Sequence, residues 1–178
     1  MSSAPDRPGD RLAVDPGAAA ALAALAQCSQ TLATAESLTG GLIGELLTSV
    51  PGASACYVGG VISYATRLKH TLAGVSPATL EAFGPVAERT AEEMAVGVAR
   101  RCSADWALAV TGVAGPESQG GHPVGQVFVG IACPGLGWST VRELRLGGDR
   151  AAIRRQTAVS ALALLTEAVR NAGAAVER

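Results

Sequence analysis

The chain has 178 residues, enough for one domain with a full core and short for two. Only 16% of residues are charged, against roughly 25% in average soluble domains, and the 48% that are hydrophobic include many alanines, which predicts close helix packing. A net charge of −1 supplies no basic footprint for nucleic acid, and no run of about 18 apolar residues is present to span a bilayer.

Residues 1–13, with Pro5, Pro8, Gly9 and several charges, read as a flexible tail ahead of a single domain over residues 14–174. The tail lacks the basic-then-apolar order of a signal peptide, so a soluble, cytoplasmic protein is expected. Asp15-Pro16 opens a first helix, with the acid as cap and proline at the first helical position, running to about Ser29. A short apolar strand, Leu32 to Glu36, then reaches Ser37 and turns through Gly40 and Gly41 into a helix that Pro51-Gly52 ends. Tyr57 to Tyr64 is a second strand whose Gly59-Gly60 pair suggests a bulge or a close approach.

Short helices follow at Thr66 to Ala73, carrying Lys69, and after Ser76-Pro77. From Ala87 to Arg101, Ala87, Ala91, Met94, Ala95, Val98 and Ala99 share one helical face. Asp105 to Val110 is an unbroken apolar run suited to a strand buried on both sides, ending in the glycine loop Thr111 to Pro116. Glu117 to Pro123 is polar and glycine-rich, hence a mobile loop. Gln126 to Ala132 and Trp138 to Leu146 form an antiparallel hairpin, and Gly147-Gly148-Asp149 caps a last helix, Arg150 to Arg170. The order specifies a three-layer α/β/α domain with a mixed, mostly parallel five-stranded sheet. Cys28, Cys56, Cys102 and Cys133 stand singly and read as small buried hydrophobes; with no histidine at ligand spacing, no metal site is expected.

Three loops fall at strand ends, Glu36 to Gly41, Tyr64 to Lys69 and Thr111 to Pro116, and parallel strands would bring them together. Each residue in them also has a plain structural use. Ser37 suits a helix cap, Tyr64 a half-buried strand aromatic, Lys69 a solvated charge and Thr111 a turn cap. Arg150 suits a surface pair with Asp149 or Glu143, although a cation in a helix's first turn is otherwise badly placed and favours an anion nearby. His70 and His122 read as exposed loop groups. Taken together, a serine, a lysine kept neutral by burial or a neighbouring cation, and glycine-loop amides fit acyl transfer on an amide or ester without a metal.

These segments carry a family resemblance. Ala35-Glu36-Ser37-Leu38-Thr39-Gly40-Gly41, Gly60 to Tyr64 followed by Lys69, Thr111 to Pro116 followed by Pro123-Val124-Gly125, and Gly148-Asp149-Arg150 followed by Arg154-Arg155-Gln156 resemble the signatures of the CinA carboxy-terminal family of nicotinamide-nucleotide amidases. The resemblance covers about Leu12 to Arg170. It implies hydrolysis of the carboxamide of nicotinamide mononucleotide to nicotinic acid mononucleotide and ammonia, in pyridine-nucleotide recycling, with no cofactor. By motif, Ser37 is then the nucleophile, Lys69 its base and Tyr64 an aid to proton transfer. Glu36, Thr39, Gly40, Gly41, Thr111, Gly112, Gly115 and Arg150 make up the substrate side. The amides around Gly40 and Gly112 serve the oxyanion, and Arg150 the phosphate.

The same resemblance implies a homo-oligomer, with no nucleic-acid or membrane partner. Two-domain relatives carry an amino-terminal molybdopterin-binding-like domain often linked to pyrophosphatase activity. The chain has no room for it, so that activity is expected to be absent. The segment Glu117 to His122 departs from the family pattern, with His122 where lysine is common, which bears on substrate preference. A non-catalytic nucleotide-binding module and an amidase for another small carboxamide are the competing readings.

Overall fold

The computed structural model describes residues 14–176, so the tail expected over residues 1–13 lies outside them. Strand β1 (Leu32–Glu36) is buried at every position because it runs through the sheet interior, between β2 (Tyr57–Ile62) and β3 (Trp106–Gly112), parallel to both. Strand β4 (Gln126–Cys133) is antiparallel to β3 and to β5 (Trp138–Arg145), giving the order β2-β1-β3-β4-β5. Four strands thus run one way, and the carboxyl ends of β1, β2 and β3 share one edge.

Alternation along the strands sets the two layers of helices. Leu32, Trp106, Leu108 and Val110 pack with Leu22 and Leu25 of α1 (Pro16–Gln27), Ile43 and Leu47 of α2 (Leu42–Thr48), and Ile153 and Leu162 of α6 (Arg150–Val176). The opposite face shows mostly small side chains, Ala33, Ala35, Ala107, Ala109 and Ala132, against Met94, Ala95 and Val98 of α5 (Glu88–Cys102), with Phe128 the large exception, packed against Ala91. A Cβ on Gly130 would come within van der Waals overlap of the Ala91 carbonyl, so α5 lies nearly on the sheet backbone. Two short helices, α3 (Thr66–Thr71) and α4 (Pro77–Phe83), connect β2 to α5.

The glycine pair of β2 makes the close approach, at Gly60, and the bulge falls just before it, at Val58. The β1–β2 register slips between Leu32 and Ala33, and a Cβ on Gly60 would fall 2.5 Å from the Thr34 carbonyl oxygen. Other expectations need correction at their ends. Strand β3 continues through Thr111 and Gly112, which pair with Phe128 and Val127 of β4 and so belong to the sheet. Strand β2 stops at Ile62, and α6 continues past Arg170 to Val176. Of the cysteines, Cys56 and Cys133 are buried, Cys102 is half-buried and Cys28 is exposed. His70 lies on α3 rather than in a loop. The Glu117 to Pro123 segment closes on itself, because Gln119 and His122 exchange backbone hydrogen bonds of 3.1 and 2.9 Å around Gly120-Gly121. No helix among the described residues is long and apolar enough to cross a membrane.

Candidate functional site

Ser37 follows β1 directly and extends its ladder by one residue, its amide donating to Val110 O at 3.1 Å. It does not cap a helix. The helix α2 begins at Leu42 behind Gly41, whose φ of 101° glycine tolerates best. The capping is done by Glu36, 2% exposed. Its Oε2 accepts from the amides of Gly41 at 2.9 Å and Ile43 at 3.1 Å, and its Oε1 from that of Gly44 at 2.8 Å. A second clamp comes from α6, where Arg154 donates to the carbonyls of Leu38 (3.0 Å) and Thr39 (2.6 Å). Ser37 therefore sits in a turn fixed from both sides.

Lys69 reaches the same place from α3. It is 2% exposed, and its Nζ donates to Ser63 O at 3.3 Å. The Ser63 amide in turn donates to Glu36 O at 2.8 Å, next to Ser37 in the chain. Burial pulls the Lys69 pKa down from 10.5 to about 8, with no carboxylate among the described residues paired to it. Ser37, Tyr64, Lys69, Thr111, Gly112, Gly115 and Arg150 all line one open cavity of about 140 Å³. No Ser37–Lys69 hydrogen bond is made among the described residues. Such contacts commonly tighten only when substrate is bound.

Tyr64 is 60% exposed at the rim, beyond the end of β2. Arg150, first residue of α6, donates to its hydroxyl at 3.0 Å and to Gly115 O at 2.8 Å. Neither Asp149 nor Glu143 pairs with it: Asp149 caps α6 by accepting from Ala152 N, and Glu143 is bound by Gln126 and Arg145. The Thr111 hydroxyl donates to Pro85 O at 2.7 Å. That leaves it free to accept from an amide N–H and ill-suited to donate to an oxyanion.

Four residues expected on the substrate side do not reach the cavity: Glu36, Thr39, Gly40 and Gly41 shape the Ser37 turn instead. The amides of Gly40 and Gly41 are spent internally, on Ser37 O and on the Glu36 carboxylate. Leu38, Ala114 and Gly115 line the cavity, and their amides have no hydrogen-bond partner among the described residues. Sequence reading missed Pro85 and Val86 in the lining, while Glu117 and Gln119, also in it, belong to the segment read as bearing on substrate preference. One signal for Lys69 was available in the composition. It is the only lysine among 14 lysines and arginines, so the chain meets every other basic need with a group that cannot lose its proton.

Residues 15–169 match the CinA C-terminal domain family. The chain belongs to that family. A CinA-like protein of Frankia casuarinae is 50% identical over 144 residues, 81% of this chain and 33% of that protein. The chain thus spans about a third of the length of the curated relatives it matches. Among solved structures, the competence/damage inducible protein CihA of Agrobacterium tumefaciens superposes with a TM-score of 0.82 at 34% identity, covering 96% of this chain and 99% of that one. A CinA superfamily protein of Escherichia coli does so at 0.82 and 29%, covering 90% and 94%. The mixed five-stranded sheet and its flanking helices are thus those of the CinA superfamily, and the Ser37 turn lies inside the matched region.

Proposed function

We propose that this CinA-family chain hydrolyses the carboxamide of nicotinamide mononucleotide through a serine–lysine acyl-enzyme. The observation that carries the reading is a buried lysine without a carboxylate partner, lining the same cavity as a rigidly held serine. Ser37 Oγ attacks the amide carbon while Lys69 Nζ accepts its proton. The negative charge that builds on the carbonyl oxygen is met by amides of Leu38 and the Ala114-Gly115 segment. The C–N bond then breaks, the leaving nitrogen takes the proton from Lys69 and departs as ammonia, and an ester remains on Ser37. Water attacks that ester with Lys69 again as base, releasing nicotinic acid mononucleotide and restoring the hydroxyl. Arg150 engages the phosphate and orients Tyr64, which passes or steadies the proton.

The deciding experiment measures ammonia and nicotinic acid mononucleotide from purified protein, beside Ser37→Ala. Turnover by the unmodified chain that vanishes in Ser37→Ala is expected; unchanged turnover in the variant would end the covalent mechanism. A module that merely holds a mononucleotide would bind it saturably and release no ammonia. The buried Lys69 favours chemistry over binding alone, since a phosphate site has no use for an amine whose charge burial disfavours. A panel of small carboxamides separates this substrate from others of its class. Cytoplasmic location, a role in pyridine-nucleotide recycling, self-association and the lack of nucleic-acid and membrane partners are part of the same proposal.

A further inference from the structure

Lys69 is not alone in being singular. Apart from Met1, the chain has one methionine, Met94, and its Sδ lies 4.0 Å from the only lysine's Nζ. Met94 is wholly buried, on the face of α5 that packs against the alanine side of the sheet. An ammonium carries three donors and needs strong acceptors when taken out of water. Here it finds one carbonyl, Ser63 O, at a long 3.3 Å and one thioether, a weak acceptor, at 4.0 Å. A neutral amine loses far less in that setting.

The surrounding charges are all engaged elsewhere or face away. On α3, Arg67 and His70 are exposed, and the His70 ring bonds Val75 O. On α5, Glu93 is held by Ser76, Thr79 and Arg89, and Glu92 by Arg89 and Ser139. From β1, the Glu36 carboxylate is turned to the α2 amides. Across the cavity stand Tyr64, Arg150 and Glu117, none of them bonded to Lys69 among the described residues. The nearest side-chain atom bonded to Lys69 is therefore the Met94 sulfur.

We infer that Met94 is a positioning residue that makes it easier for the Lys69 amine to shed its charge and so become able to take a proton, by filling with a thioether the place where an ammonium would need an oxygen. The inference rests on the reading of Lys69 as the base. The low pKa of about 8 that burial gives Lys69 agrees with it. A near-isosteric oxygen at position 94 should undo the effect, whereas an apolar side chain should not.

The test uses the whole chain without substrate. Selective ¹³C labelling of lysine gives a single Lys69 side-chain signal, and labelling the methionine methyl gives Met94 beside Met1. Lys69 should titrate with a midpoint near 8, and the Met94 methyl signal should move with the same midpoint. Met94→Gln should raise the Lys69 midpoint by about one pH unit, and Met94→Leu should leave it unchanged or lower it. A folded Met94→Gln with an unmoved midpoint overturns the inference, as does Met94→Leu raising it equally. Should Met94→Gln fail to fold, the unmodified chain still decides: a Lys69 midpoint near 10.5, or a Met94 signal flat across the Lys69 titration, overturns it. Because these midpoints are read without substrate, a chain that released no ammonia would count against the amidase reading alone.

Discussion

The Arg150 guanidinium donates to the Tyr64 hydroxyl at 3.0 Å while its other terminal nitrogen holds Gly115 O at 2.8 Å. One side chain at the start of α6 thus links the loop after β2 to the loop after β3 across the mouth of the cavity. No carboxylate neutralises it among the described residues, so its charge is available to an anion. Arg150→Ala should raise KM for a mononucleotide by about tenfold or more, the usual worth of a charged hydrogen bond. Arg150→Lys should recover little of this, because a point charge cannot span both partners. Steady-state kinetics of the two variants, with and without the substrate phosphate, checks it.

The Lys69 amine must be uncharged to accept the Ser37 proton, so kcat/KM should climb tenfold per pH unit below its pKa and level off above about 8. Lys69→Arg should be inactive at every pH, since a guanidinium keeps its proton. A pH–rate profile with a plateau already reached at pH 6 would contradict the assignment.

The same burial has a cost in stability. Between pH 8 and 10.5 the unfolded chain keeps the Lys69 proton that the folded chain has shed, so stability rises with pH across that window. Below 8 the charge is carried in both states, and the folded one bears a penalty of roughly 3 kcal/mol. Lys69→Met should therefore abolish turnover yet raise the melting temperature at pH 7, by about 6 to 12 °C for a domain this size. Scanning calorimetry at pH 7 and pH 10 should show the gain shrink at the higher pH.

Glu36 holds three amides at the head of α2. Glu36→Ala would strand them beside the Ser37 turn, at a cost of about 2 to 4 kcal/mol, and should depress kcat more than it raises KM. Glu36→Gln, with one acceptor oxygen left, should fall between. Urea denaturation alongside kinetics measures both effects.

Gly60 has no room for a methyl group, because Thr34 of the neighbouring strand occupies it. Gly60→Ala should destabilise the fold by about 3 kcal/mol or prevent folding, as overpacking against backbone does. Gly52, with a φ of 83° and nothing within 4 Å, should accept alanine with a smaller loss.

Much of the fold was legible in the sequence because strands and helices differ in period. The run Leu32 to Glu36 matched β1 to the residue, and the α5 face was read correctly from Ala91 to Ala99. The ends were less legible. Thr111 and Gly112 look like turn residues, but pairing with β4 keeps them in the strand. At the site, the converging loops were foreseen from the parallel strands, whereas the use of each polar group was not. Serine is the commoner cap, so the sequence pointed to Ser37; the longer Glu36 reached the amides first, which no local rule specifies. Likewise, which glycine-loop amides stay free depends on the turn's hydrogen bonds rather than on residue type.

The β3–β4 connection leaves the sheet and returns to it at one point. Val113 N donates to Gln126 O at 2.9 Å, and Gly125 N donates to Val113 O at 2.8 Å, so residues 114–124 hang from a closed neck. Everything they contribute to the cavity, from Ala114 to Gln119, is carried on that one excursion. The neck makes it an exchangeable cartridge. A descendant of this chain could trade the segment beyond Gly115, length included, for another and meet a new ligand, while the strands below kept their register and Ser37, Lys69 and the Ala114-Gly115 amides never moved.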